Sequence, residues 1–133
     1  MSRSAIYVAN SFNQTIDVDG LIGLGSVIRR FGPNLSLAGN AIQATGQGYY
    51  DLDASITVTP SAAGTVTVTA YANGVAIPGA TASETVAETD TTVNLSIDAL
   101  YRLICPCEDI NITFVLTGAA SVVNNIAVEV NKL

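Results

Sequence analysis

Apolar and polar residues alternate along most of this chain. From Tyr50 to Thr59 every even position is apolar or aromatic and every odd one is polar. A period of two belongs to a strand with one buried face. It predicts Leu52, Ile56 and Val58 facing a core, with Pro60 ending the strand. Thr65 to Tyr71 alternates in the same way. Asn73-Gly74 follows, a hairpin pair because both residues accept positive φ. Val75-Ala76-Ile77 predicts the returning strand, and Pro78-Gly79 a turn that closes it. Thr92 to Asp98 alternates again, as does Asn111 to Thr117, with Ile112, Phe114 and Leu116 inward. Ile126 to Val130 is the last such run.

The first 48 residues are less regular. Ser26 to Phe31, Leu35 to Leu37 and Ala41 to Ala44 predict short strands, separated by Gly32-Pro33, Gly39-Asn40 and Gly46-Gln47-Gly48. Ala80 to Thr92 reads as an exposed loop with one edge strand. No segment shows the 3.6-residue period of an amphipathic helix. Asp98 to Ile104 is the best candidate for a single helical turn. Short strands at regular spacing, with no repeat and no linker, predict one all-β domain over 1–133. Its expected architecture is a jelly-roll sandwich of about 8–10 antiparallel strands.

Composition changes the picture in one respect. Only 12% of residues are charged, against about 25% in an ordinary soluble domain. Ser, Thr, Asn and Gln must then supply much of the polar surface, and copies of the chain are expected to cover some of the rest. The deficit is greatest in residues 1–48, where Arg3, Asp17, Asp19, Arg29 and Arg30 are the charged residues. That region is therefore a candidate docking surface. A net charge of −6 with no basic stripe disfavours nucleic acid and anionic membranes as partners. No run approaches the ~20 apolar residues of a membrane-spanning helix. The start, Met1 to Tyr7, lacks the apolar stretch of a signal peptide, so synthesis in a cytoplasm is expected.

Candidate chemistry is sparse. The chain has no histidine, which removes the commonest general base. No nucleophile triad, phosphate loop or zinc-protease motif occurs, so neither catalysis nor a cofactor is expected. Cys105-Pro106-Cys107 reads as buried or interface thiols, because a disulfide two residues apart is strained. Asp17-Val18-Asp19-Gly20 looks like the front of a calcium loop, but the later oxygen ligands are missing. Arg29-Arg30, next to Phe31, places one guanidinium inward or toward a neighbouring subunit, where Arg meets carboxylates. Tyr49 and Tyr50 are further interface candidates, because Tyr is favoured in contact surfaces.

The stretch from Gly48 to Ala82 resembles a known class. Gly48-Tyr49-Tyr50 opens a long strand, and Tyr71-Ala72-Asn73-Gly74-Val75-Ala76-Ile77-Pro78-Gly79 follows. Both are similar to trimeric jelly rolls of the tumour-necrosis-factor and complement-globular-head class. The bacterial and prophage branch looks nearest, with the C-terminal domains of collagen-like spore-surface glycoproteins. The final stretch, Asn124 to Leu133, is similar to that class's last strand, although no Gly-X-Y stalk is present. The resemblance implies ten-strand protomers packed as a homotrimer around an apolar axis, with a structural or binding role. A bacteriophage virion component is the expectation: a head decoration, head fibre or tail-associated trimer, contacting other virion proteins. The alternative is a bacterial surface or spore-surface adhesin-like module.

Overall fold

The computed structural model describes residues 3–89, 91–104 and 109–133. Twelve strands lie among them, and all their pairings are antiparallel. They are β1 (Ser4–Asn10), β2 (Gln14–Ile16), β3 (Gly20–Leu21), β4 (Ser26–Phe31), β5 (Leu35–Ala38) and β6 (Ala41–Thr45), followed by β7 (Gly48–Pro60), β8 (Gly64–Ala72), β9 (Val75–Val86), β10 (Val93–Leu103), β11 (Asp109–Thr117) and β12 (Ser121–Lys132). Two sheets form. The first runs β10-β7-β12-β1-β4, with β2 also paired to β12. The second runs β5-β6-β11-β8-β9, with β3 paired to β11. Neighbours in each sheet come from distant parts of the chain, as in a jelly roll.

The alternating runs bury the expected faces. Leu52, Ile56 and Val58 are fully inside, opposite Ile112, Phe114 and Leu116 from the other sheet. Strand β7 ends at Pro60. Asn73 and Gly74 both have positive φ (50° and 81°), and Ala72 pairs with Val75 across them. A two-residue turn of this twist matches the twist of the strands it joins.

Two local expectations are corrected. Pro78-Gly79 does not end a strand: β9 continues to Val86 as the outer strand of its sheet. Between the Tyr71–Ala76 and Thr69–Thr81 pairs, β9 carries extra residues opposite Ala70, so the proline and glycine form a bulge. Proline is tolerated there because a bulge and an edge both release it from donating to the ladder. Asp98 to Ile104 forms no helical turn. Residues up to Leu103 continue β10, paired with β7 as far as Gly48.

The outer face of the second sheet shows how so few charges suffice. Thr65, Thr67 and Thr69 on β8 oppose Thr85, Ser83 and Thr81 on β9, and their hydroxyls pair at 2.9, 2.8 and 2.6 Å. Each hydroxyl both donates and accepts, so the ladder satisfies itself and still meets water.

Strands β1, β4 and β5 gather on one flank. Strands β1 and β4 of the first sheet lie against β5 of the second. A polar clasp ties this flank together. Ser4 Oγ donates to Asn34 Oδ1 (3.1 Å), and Asn34 Nδ2 donates to the Thr45 carbonyl (2.6 Å). The Tyr50 hydroxyl lies 2.7 Å from the carbonyls of both Thr45 and Gly46. Tyr50 is 1% exposed. It is therefore a core residue that joins the sheets, and as an interface candidate it is corrected: its place in the alternation with Leu52 turns it inward. Burial raises its phenol pKa above the ordinary 10.0.

Candidate interaction surface

Antiparallel register sets the outward face of the first sheet. Ile6, Val8, Leu52, Ala54, Ile97, Val128 and Val130 point into the core, so their strand neighbours point out. Directly paired residues share a face, and their side chains form transverse rows. One row runs Arg29, Tyr7, Glu129, Asp53, Asp98 across β4, β1, β12, β7 and β10. The next runs Phe31, Ala5, Asn131, Asp51, Leu100 across the same strands. Three carboxylates thus stand side by side, with a guanidinium at the far edge.

Like charges directly opposite each other destabilise a sheet. A proton on Asp53 relieves this at mildly acidic pH. Asp53 hydrogen-bonds side chain to side chain with Asp98, and two carboxyl groups can bond only if one is protonated. That bond, partial burial and the charges of Asp51, Asp98 and Glu129 push the Asp53 pKa up to about 6. Ser55, Ser96 and Ala127 beside the row, with Tyr7 within it, help line a shallow depression of about 350 Å³.

Both edges of this face also expose apolar residues. All six residues of β4 are exposed, with Phe31 at 61%. At the opposite edge, Leu100 is 59% exposed. Tyr49 is exposed too, with the Arg102 guanidinium 5.5 Å from its ring centre, a cation–π distance.

The paired arginines diverge. Arg30 turns toward the second sheet and donates Nε to the Leu35 carbonyl. Arg29 stays on the outer face, where its Nη1 donates to the Ile28 carbonyl at 2.9 Å. Alternation along β4 separates their directions, since Arg29 pairs with outward Tyr7 and Arg30 with inward Ile6.

Asp17 and Asp19 sit in a tight turn rather than an open loop. Gly20 N donates to the Asp17 carbonyl at 2.9 Å, Asp19 N donates to the Leu116 carbonyl at 2.7 Å, and Asp19 has φ of 67°. No group of three or more metal-ligating side chains occurs among the described residues. Cys105 and Cys107 lie outside the described residues.

Sequence reasoning did not single out Phe12, which is 84% exposed between β1 and β2. Its loop is fixed from below. Phe12 N donates to Asn10 Oδ1 and Ser11 Oγ donates to Asn125 Oδ1, both at 3.1 Å. One large apolar residue among Ser11, Asn13 and Gln14 was the available signal. The acidic row had none, since its members lie 45 and 31 residues apart in sequence (98 − 53 and 129 − 98).

No family model matches the sequence, and no curated protein is similar to it at a significant level. Solved structures do match in fold. Murine APRIL is similar with a TM-score of 0.74 at 14% identity, covering 98% of this chain and 99% of that one. The globular domain of zebrafish complement 1qA gives 0.70 at 10% identity, covering 97% and 95%. The PRD1 vertex protein P5 gives 0.63 at 13% identity, covering 98% and 96%. At such identities the likeness establishes the fold: a jelly roll of the tumour-necrosis-factor and complement-globular type.

Proposed function

We propose that this chain is a non-enzymatic structural and attachment protein that assembles as a homotrimer within a bacteriophage particle. It would serve as a head decoration, head fibre or tail-associated trimer, encoded by a phage or prophage and held by other virion proteins. The observation that carries this reading is the outer face of the first sheet. Five strands present a broad surface with exposed apolar residues at both edges, on a chain with few charges. Exposed apolar residues gathered on one face mark a protein contact. A structural role in a particle is supported by the likeness in fold to a vertex protein.

Two measurements test it. The native mass at micromolar concentration is expected to be three times 13.7 kDa; a mass of one chain refutes the trimer. Mass spectrometry of purified virions from the encoding host is expected to detect the chain. Its absence there, with recovery from the spore or cell surface, would favour the adhesin-like module.

A further inference from the structure

We propose that the acidic row Asp98–Asp53–Glu129 receives Arg29 from the edge strand β4 of a second copy of this chain. The inference rests on the self-association proposed above and assigns it a specific contact. The argument is one of charge and place. The row is acidic along three adjacent strands and basic at its opposite edge. Strands lie about 4.8 Å apart, so Arg29 is about 14 Å from Asp53 within one copy, three strand steps away. Tyr7 stands between Arg29 and Glu129.

The same approach matches the apolar residues. Phe31 lies two residues beyond Arg29 on β4, and Leu100 two beyond Asp98 on β10; both belong to the neighbouring row of the same face. Bringing β4 of one copy over β7 and β10 of the next therefore covers Phe31 and Leu100 while it pairs the charges. The face suits the task in size. Five strands across and about nine residues long give on the order of 700 Å², close to the ~800 Å² per partner of a standard interface. The acids gain as well. Three carboxylates in one row cost stability in the lone chain, and a bidentate guanidinium offsets that cost.

Sedimentation velocity on the full chain tests the contact. Arg29 and Glu129 are both exposed, so circular dichroism is expected to show their variants folded. R29E is expected to raise the dissociation constant at least about 30-fold, the lower range for breaking an interfacial charge pair. E129R weakens association in the same sense, and the double variant R29E/E129R recovers it, because the pair is restored in reverse. If R29E fails to fold, R29Q reads the same contact without adding a repulsive charge. A wild-type oligomer that neither R29E nor R29Q loosens overturns this contact and leaves the trimer standing. So does a double variant no tighter than R29E. A wild-type chain that sediments as a monomer overturns both readings.

Discussion

Replacing Tyr50 by phenylalanine removes one oxygen atom from the clasp between the sheets. The ring stays, so no cavity opens, and the change isolates the hydroxyl. Thr45 O keeps the Asn34 amide as a donor, whereas Gly46 O loses the Tyr50 hydroxyl. A half-buried carbonyl left without its partner costs about 1–2 kcal/mol. Unfolding entropy near the midpoint is about 2.1 cal/mol/K per residue, or about 0.28 kcal/mol/K for 133 residues. Tyr50→Phe should therefore lower Tm by about 4–7 °C. Calorimetry at one fixed protein concentration reads this, since association also shifts the midpoint. A second readout uses pH. Folding raises the phenol pKa above 10.0, so the folded chain keeps a proton that the unfolded chain loses. That stability is present below pH 10 and declines as pH rises past it. The variant should lack this alkaline decline. An unchanged Tm together with weakened association would refute the clasp and return Tyr50 to the surface.

Other outcomes follow from the same geometry. Asp53 titrates near 6 when folded, against 3.8 ordinarily, so the folded chain binds more protons than the unfolded one between those values. Stability should thus fall as pH rises through that window. Solvent screening reduces the effect to about 1 kcal/mol, or about 3–4 °C. In an R29E background, where no neighbouring guanidinium covers the row, D53N should flatten the melting profile between pH 4 and 6.5; an unaltered slope refutes the shared proton. Gly118→Ala should cost at least about 3 kcal/mol by chemical denaturation. Its φ is 95° and a Cβ there would lie 2.0 Å from the Thr65 carbonyl oxygen. Gly39→Ala, with φ of 62° and open space around it, should cost only about 1 kcal/mol. Calcium or a chelator should leave Tm unchanged, because no third ligating side chain joins Asp17 and Asp19 among the described residues; a rise with calcium would reopen the Asp17–Gly20 turn as a site.

The alternation by itself determined which side chains form the core. Leu52, Ile56, Val58, Ile112, Phe114 and Leu116 are inside because a strand's period of two leaves no other arrangement once one face is buried. Asn73-Gly74 determined its turn for an equally local reason, positive φ. Tyr50 was legible in principle, since it keeps step with Leu52. Its residue type suggested a surface role, and only its carbonyl partners show what the hydroxyl does inside. Pro78-Gly79 misled because the signal for a turn and the signal for a bulge are the same two residues; the partner strand decides between them. The acidic row was beyond the sequence's reach. Asp53, Asp98 and Glu129 each read as one polar position on a half-buried strand. Their meeting depends on the registers of β10 and β12 against β7, which long-range pairing sets. The opening pattern therefore specified what this protein hides, while the tertiary structure decided what it presents.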